Sequence, residues 1–357
     1  MARVAMAMSG GVDSSVAAAL LKEQGHEVIG LHMKLYHGPE NENRQKSCCS
    51  LDEAIDARSA CHRLDIPFYV LDYQKEFRET VIDYFISGYS SGQTPNPCVM
   101  CNKKIKSDLL LKKADELDCD YLATGHYAKV CFNTENGHPQ LVRPQDLRKD
   151  QTYFLHGIPA KDLHRLMFPL ADIIKPEVRK IANKLKLSAA NKPDSQEICF
   201  VPKDYRNFLK QELSTPPEQG DFISVSGEVL GKHLGLPFYT IGQRRGLGVS
   251  DSTPYYVVEI DKENNRIVLG KEEDLFSQSI LVSSVNWVSI PPPDKPLRVS
   301  AKLRYAHQGA SASVIPESEN QVRVEFDFPE RAVTPGQAAV FYQDNILLGG
   351  GWINNSH

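Results

Sequence analysis

The sequence predicts an α/β fold with a doubly wound parallel sheet, followed by a β-rich second half. Over residues 1–125, short apolar runs alternate with segments whose apolar residues recur at helical spacing. Strands that alternate with helices in this way are typical of a parallel sheet. After Thr215-Pro216-Pro217 the pattern changes to short alternating runs broken by glycine and proline, which indicate a small β-barrel or sandwich.

The first half contains four predicted strands. The first three are each followed by a loop and a helix, and the fourth is followed by a loop that could bind a ligand. The predicted strands cover residues 4–8, 28–36, 68–71 and 121–124, and the predicted helices cover 12–25, 52–64, 76–89 and 102–117. Ligands of doubly wound folds bind at the carboxyl ends of the strands. The glycine loop after the first strand, Met33 and Gly125-His126 all fall at such ends. We therefore expect them to converge on one site.

The second half is predicted to begin with two short helices and to continue in strands. The helices cover residues 176–185 and 205–213, and the strands cover 222–225, 255–258, 266–269, 298–305, 321–328 and 338–341. A proline-rich connector, residues 291–296, precedes the last group of strands and is expected to be stiff. The sequence contains no internal repeat.

Composition narrows the class of protein. The chain has 357 residues, enough for two or three domains, with 24% charged and 41% hydrophobic residues. Its net charge of −4 does not announce a nucleic-acid partner, although a local basic face is compatible with an acidic protein. No apolar run reaches membrane-spanning length and the N-terminus enters a strand at once, so a cytoplasmic location is expected. Eight cysteines are then read as thiols for catalysis or metal binding.

The loop Ser9-Gly10-Gly11-Val12-Asp13-Ser14-Ser15 joins the first predicted strand to the first helix. Two glycines let the backbone approach a phosphate, and the helix N-terminus attracts an anion. The loop lacks the Gly-Lys-Ser/Thr of P-loop proteins and the GxGxxG of dinucleotide sites. It resembles the loop of the ATP pyrophosphatases, which implies ATP as ligand and Asp13 as a Mg²⁺ ligand. We expect Asp13 to lie at a solvent-facing strand end.

Two cysteine segments are candidates for chemistry. Thr94-Pro95-Asn96-Pro97-Cys98-Val99-Met100-Cys101 is a proline-rich loop leading into a helix, where a thiol has a lowered pKa. Its CxxC could be half of a zinc site, a redox pair or the site of a nucleophile. Zinc needs four ligands, and only the vicinal Cys48-Cys49 could complete a set. Cys199 lies in a second, polar segment far along the chain.

Seven motifs in order resemble those of the bacterial tRNA-specific 2-thiouridylases, which place sulfur on the wobble uridine of tRNA. They are SGGVDSS (9–15), TPNPCVMCN (94–102), ATGHYA (123–128), KDQTY (149–153), DSQEICF (194–200), YTIGQRRGLG (239–248) and VTPGQ (333–337). The resemblance implies an ATP-pyrophosphatase domain over residues 1–214, a small central domain over 215–280 and a C-terminal β-barrel over 281–357. It implies that the last two domains help to hold tRNA.

The resemblance also assigns the site residues. Cys199 would carry a persulfide and Cys101 would act as nucleophile, ending in a disulfide between them. The nucleotide-binding residues would be Ala7, Met8, Ser9, Gly10, Gly11, Val12, Asp13, Ser14, Met33 and Gly125. Asn96, Pro97 and Cys98 would face the target base. The tRNA contacts would be His126, Lys149, Asp150, Gln151, Arg304, Tyr305 and Gln337. A sulfur-donor protein, either a cysteine desulfurase or a relay protein, would be a partner.

One departure leaves the sulfur route open. Many family members have Asp where this chain has Cys98, so any role of that carboxylate is in doubt. Cys98, Cys101 and Cys199 could together hold a [4Fe–4S] cluster with one open iron. Two alternatives to the thiolation itself are another ATP-pyrophosphatase-type tRNA-modifying enzyme and a non-enzymatic RNA-binding adaptor.

Overall fold

The computed structural model describes residues 1–36, 51–193, 198–201 and 204–354. Its first seven strands are β1 (Arg3–Ala7), β2 (Glu27–Lys34), β3 (Phe68–Asp72), β4 (Tyr121–Ala123), β5 (Lys129–Phe132), β6 (Pro139–Val142) and β7 (Leu166–Met167). Five of them form a parallel sheet in the order β3-β2-β1-β4-β7. The predicted parallel sheet is confirmed, with β1 at its centre.

The sheet is covered on both faces because alternate residues of β1 enter different cores. Ala5 packs with helix 97–116, whereas Val4 and Met6 pack with the helices Val12–Glu23 and Leu51–Arg63. All three side chains are fully buried. A strand buried on both faces explains the continuous apolar run at the N-terminus.

Two further helices are longer than predicted and contain wider, π-helical turns. Helix 74–90 has such turns at Arg78–Ile82. Helix 97–116 has them at Cys101–Leu109 and begins five residues before the predicted start at Asn102. Pro97 is favoured in the first helical position and Asn96 caps the helix, so the CxxC lies inside the helix and not in a loop before it. Two more α-helices in the described residues are Lys175–Lys184 and Tyr205–Glu212, and several short 3₁₀ helices lie between the longer elements.

Two β modules follow. The first is a four-stranded sheet of β8 (Gly220–Ser224), β9 (Val229–His233), β10 (Tyr256–Asp261) and β11 (Arg266–Gly270), in the order β10-β11-β8-β9. The second contains β12 (Phe276–Trp287), β13 (Leu297–Lys302), β14 (Ala310–Ser318), β15 (Gln321–Arg331), β16 (Ala338–Gln343) and β17 (Ile346–Ile353). Pairing of β12 with both β15 and β17 closes these six strands into a barrel. The predicted C-terminal barrel is confirmed.

The barrel is joined to the first half of the chain by strand pairing. Hairpin β5–β6 extends the barrel sheet, with Leu141 opposite Leu347 and Val142 opposite Ile346. Barrel residues such as Val340 and Tyr342 are buried in the same hydrophobic cluster as Ala5. The barrel and the parallel sheet therefore share a core. The domain limits at 214 and 280 stay a prediction.

Candidate active site

The glycine loop turns sharply because of Gly10. This residue has φ +80°, and a Cβ there would lie 2.3 Å from the carbonyl oxygen of Glu53 on the neighbouring helix. Only glycine fits both conditions. The Ser9 N–H donates to Ser14 Oγ at 3.2 Å, and Ser14 Oγ donates to the Gly11 carbonyl at 3.1 Å. These bonds hold the loop against the helix N-terminus, whose first N–H groups suit an anion.

The remaining predicted nucleotide residues surround this loop. Ala7, Met8 and Val12 have buried side chains, so they would offer a ligand their backbone only. Met33 lies at the end of β2 and is partly buried. A Cβ on Gly125 would lie 2.8 Å from Ser14 N and 2.9 Å from the Asp13 carbonyl carbon. The loops after β1 and β4 are thus in direct backbone contact, and the predicted convergence at the carboxyl ends of the strands is present.

The sequence predicts that Asp13 faces solvent, but in the structure a buried lysine binds its carboxylate. Lys175 Nζ lies 2.8 Å from both carboxylate oxygens, and the Tyr127 hydroxyl donates to Oδ1 at 2.9 Å. The side chains of Asp13 and Lys175 are 32% and 9% exposed. Sequence reasoning missed Lys175. The sequence did contain a signal for it: Lys175 lies in the first turn of a helix, where the helix dipole disfavours a positive charge.

Asp13 nevertheless fits a role as Mg²⁺ ligand. In nucleotide sites Mg²⁺ is commonly bound by one or two carboxylates together with phosphate oxygens. Each carboxylate oxygen can accept more than one bond, so Lys175 does not exhaust Asp13. The carboxylate also adjoins the loop that would hold the phosphates.

The two predicted catalytic cysteines lie against one hydrophobic cluster, which includes Phe77, Phe85 and Phe200. Cys101 reaches it from the start of the π-helical turns, and Cys199 from the segment before helix Tyr205–Glu212. Both are partly buried, as is Cys98 in the first turn of helix 97–116. The fold thus places on one cluster two cysteines that lie far apart in sequence.

The metal alternatives gain no support from the geometry. Within the described ranges, no three His, Cys, Asp or Glu side chains form a group able to hold a metal ion. The described geometry therefore lends no support to a cluster on Cys98, Cys101 and Cys199. Cys48-Cys49 and the Asp194–Glu197 half of the DSQEICF motif lie outside the described residues.

The predicted contacts to the target base are close to the CxxC. Asn96 is buried, and its Oδ1 accepts from Val99 N at 3.4 Å. Burial raises the pKa of the Tyr153 hydroxyl, and the nearby Asn96 side chain acts against that rise. Pro97 is buried and Cys98 is partly exposed. Of these three residues, Cys98 has the most accessible side chain.

His126 lies at the mouth of the nucleotide loop in a neutral state. Burial of its ring and the nearby Lys106 ammonium hold its pKa well below the ordinary 6.5. Lys106 Nζ lies 3.4 Å from Nε2 and donates to it, so the proton is on Nδ1, which donates to Thr124 Oγ1 at 2.7 Å. A neutral imidazole can contact a nucleotide by hydrogen bonding but does not neutralise a phosphate.

The other predicted tRNA residues divide into exposed and inward-facing groups. Arg304 and Tyr305 are exposed on the barrel, and the Tyr305 ring stacks on Phe154 with a centroid separation of 4.6 Å. Lys149 is partly exposed. Asp150 is buried and accepts from Thr152 N and Oγ1 at 2.9 and 2.6 Å.

Gln151 and Gln337 make internal hydrogen bonds. Gln151 Oε1 accepts from Tyr127 N at 2.9 Å, and Gln337 Nε2 donates to the Thr94 carbonyl at 2.9 Å. The exposed residues form a surface of cations and an aromatic ring, which is the chemistry that positions RNA. The inward-facing residues Asp150, Gln151 and Gln337 instead make hydrogen bonds within the protein that stabilise the segments around the site.

Together, the parallel sheet, the glycine loop at its carboxyl edge and the thiols on helix 97–116 define a nucleotide-binding α/β enzyme with two attached β modules. Three family models match the chain: the tRNA methyl transferase HUP domain over residues 2–203, the tRNA methyl transferase PRC-barrel domain over 206–271 and the aminomethyltransferase beta-barrel domain over 277–353.

Curated relatives named tRNA-specific 2-thiouridylase MnmA match along almost the whole chain. The protein of Symbiobacterium thermophilum is 48% identical over 99% of this chain and 92% of its own length. That of Halothermothrix orenii is 47% identical over 100% of both chains, and that of Clostridioides difficile is 45% identical over 99% and 98%. The chain belongs to the tRNA-specific 2-thiouridylase family, a family of tRNA sulfurtransferases that use ATP. The family expected from the motifs is confirmed.

In the described part of the chain, no helix combines the length and the apolar character that crossing a membrane requires.

Proposed function

We propose that this protein replaces the 2-oxygen of the wobble uridine of tRNA by sulfur, with ATP activating the oxygen and a cysteine persulfide supplying the sulfur. The observation that carries the proposal is an anion-binding glycine loop in a chain whose two candidate thiols pack against one hydrophobic cluster. The family relationship supports the reaction class, and the geometry supports the roles of the residues.

The first step is adenylation. The uridine 2-oxygen attacks the α-phosphorus of ATP, pyrophosphate leaves, and a poor leaving group becomes AMP. The amides of Ser9–Ser14 and the helix N-terminus stabilise the charge on the departing pyrophosphate. Asp13 would hold Mg²⁺, which neutralises phosphate charge when bound.

The second step transfers sulfur. The terminal sulfur of a Cys199 persulfide attacks C2 of the uridine, and AMP leaves with the former oxygen. The Cys101 thiolate then attacks the Cys199 sulfur, which cleaves the S–S bond and releases 2-thiouridine. A Cys101–Cys199 disulfide remains and requires a thiol reductant for the next turnover. A sulfur-donor protein, a cysteine desulfurase or a relay protein of the cytoplasm, would reload Cys199.

Cys98 is not needed in this sequence of steps. Cys98 lies partly exposed in the first turn of helix 97–116, where its thiol can make hydrogen bonds beside the base. The cluster alternative instead requires all three cysteines as ligands, and the described geometry offers no such group. No step is therefore assigned to a cluster.

The roles of the tRNA residues follow from their exposure. Lys149 and Arg304 would contact phosphates, and Tyr305 would stack on a base. His126 would hydrogen-bond to tRNA as a neutral ring. Asp150 and Gln151 would act through their backbone and through Tyr127.

The test incubates unmodified tRNA with the protein, Mg²⁺, ATP and a cysteine desulfurase with cysteine, without oxygen, followed by nucleoside mass spectrometry. We expect 2-thiouridine from the wild type, none from Cys101→Ala or Cys199→Ala, and reduced but measurable product from Cys98→Ala. Cys131→Ala is the matched control, because Cys131 is a partly buried thiol on β5, and it should behave as wild type.

Two outcomes would contradict parts of the proposal. Equal loss of product in all three site variants, together with bound iron in the wild type, would replace the persulfide route by the cluster. Binding of tRNA without any pyrophosphate release would favour the RNA-binding adaptor. Binding itself should weaken with salt, because phosphate contacts release counterions.

A further inference from the structure

The barrel turn Thr334-Pro335-Gly336-Gln337 holds the segment that leads into the CxxC helix. Thr94 N donates to the Pro335 carbonyl at 2.8 Å, and Gln337 Nε2 donates to the Thr94 carbonyl at 2.9 Å. Both polar backbone groups of Thr94 are therefore bonded to the barrel. We call residues 334–337 the barrel clamp.

The contact is too close for any residue but glycine at its centre. Gly336 has φ +86°, and a Cβ there would lie 2.9 Å from Gln93 Cβ and 3.1 Å from both Thr94 N and Thr94 O. The φ value and the missing space act together, because either one alone already disfavours a side chain.

The clamp is rigidly attached to the barrel. Gly336 N donates to the Ile353 carbonyl at 2.9 Å, and Ile353 N donates to the Gln337 carbonyl at 2.9 Å. Gln337 N closes the turn on the Thr334 carbonyl at 3.2 Å. These bonds fasten the turn to the end of β17, so it moves only with the barrel wall.

The displacement of Thr94 would reach the cysteines through a stiff connection. Pro95 and Pro97 each have a fixed φ, and Asn96 between them caps the helix that carries Cys98. Pro95 also packs on helix 74–90, where a Cβ on Gly88 would lie 2.9 Å from its ring. The segment has little freedom to absorb a shift at its start.

A second link joins the barrel to the same cap. The Tyr153 hydroxyl donates to the Ala338 carbonyl, the residue after the clamp, at 3.0 Å. Tyr153 is fully buried, and its hydroxyl lies near the Asn96 side chain. The start of β16 thus reaches both ends of the segment Thr94–Asn96.

We infer that Gly336 and Gln337 are positioning residues for Cys98 and Cys101, so that the C-terminal barrel sets the geometry of the thiol site in addition to binding tRNA. The bond from Gln337 to Thr94 carries this role, and the protein makes it without tRNA. The inference goes beyond the proposed reaction, on which only its activity readout rests.

The test compares Gln337→Leu and Gln337→Glu with wild type, using Gln343→Leu as the matched control. Gln343 is exposed at the end of β16, the strand that begins directly after Gln337. Three quantities are measured: the iodoacetamide alkylation rates of Cys98 and Cys101 without tRNA or ATP, the Kd for unmodified tRNA, and kcat at saturating tRNA.

We expect both Gln337 variants to change the alkylation rates of Cys98 and Cys101 by about threefold or more and to lower kcat about tenfold, since small misplacements of reacting groups are costly. The Kd for tRNA should stay within about twofold of wild type, as for a residue without phosphate contacts. Alkylation of Cys131 should be unchanged and reports on the barrel hairpin. If Gln337→Leu loosens the whole molecule and raises the Cys131 rate, the isosteric Gln337→Glu decides by the same criteria.

A weaker Kd with unchanged thiol rates and unchanged kcat would overturn the inference and make Gln337 a tRNA contact. Unchanged values throughout would overturn it as well. A wild type without any thiolation would refute the proposed function, while the alkylation rates would still test the clamp.

Discussion

Removal of the Asp13 carboxylate is predicted to damage both the fold and nucleotide binding. In Asp13→Ala the Lys175 ammonium, with a side chain only 9% exposed, loses both of its 2.8 Å contacts. The Tyr127 ring, whose centroid lies 5.9 Å away, is among the groups that stay near it. The sequence alone suggests a solvent-facing Asp13 whose removal leaves the fold intact, and the buried lysine changes that expectation.

The size of the effect follows from the burial of the pair. Breaking a fully buried ion pair costs about 3–5 kcal/mol, because the other charge is left uncompensated. Asp13 is 32% exposed, so water can enter beside Lys175 when the carboxylate is removed. We therefore expect Asp13→Ala to lower the free energy of unfolding by about 2 kcal/mol.

The double variant Asp13→Ala/Lys175→Met separates stability from binding. It removes the buried ammonium together with the carboxylate that binds it, so stability should return to within about 1 kcal/mol of wild type. Binding of Mg²⁺-ATP should not return, because the metal ligand is still missing. Urea unfolding followed by circular dichroism measures the first quantity, and calorimetric titration with Mg²⁺-ATP measures the second.

The exposed pair Lys129–Asp172 is the matched control, with side chains 40% and 67% exposed. Asp172→Ala should cost less than about 1 kcal/mol, as usual for surface ion pairs. The reasoning is refuted if Asp13→Ala is as stable as wild type, or if the double variant is no more stable than Asp13→Ala.

Two further variants test other parts of the site. Gly125→Ala should weaken Mg²⁺-ATP binding by about 1–3 kcal/mol, because its methyl would lie 2.8 Å from Ser14 N and 2.9 Å from the Asp13 carbonyl carbon and would displace the loop. Gly231→Ala, where the nearest atom is 3.7 Å away, should bind normally, and equal affinity in both variants would contradict the close approach. His156 is buried, which lowers its pKa from 6.5 to about 4, so the folded state binds fewer protons than the unfolded state in that interval. The free energy of unfolding should thus be unaffected by His156 above pH 6.5 and fall by about 3 kcal/mol toward pH 4. His156→Gln should show a shallower decline. Parallel pH curves for the two proteins would speak against this cause.

Local secondary structure and turns of this protein could be predicted from the amino-acid sequence alone. The apolar run of β1, the two glycines after it and the helical periodicity that follows are set by neighbouring residues, because turn sterics and helix spacing act over a few positions. The same holds for the existence of most helices and strands. The seven motifs, each a short local pattern, were enough to identify the family.

Contacts between residues far apart in sequence became visible in the three-dimensional structure and not before. Lys175 binds Asp13 across 162 positions, and Gln337 binds Thr94 across 243. Hairpin β5–β6 pairs with the barrel, which no local pattern in either segment indicates. Such contacts depend on how whole elements pack, and side-chain burial follows from that packing and not from residue type. The sequence could therefore name the loop and the thiols, but only the fold shows that a buried lysine binds Asp13 and that a barrel turn binds Thr94, just before the helix with the CxxC.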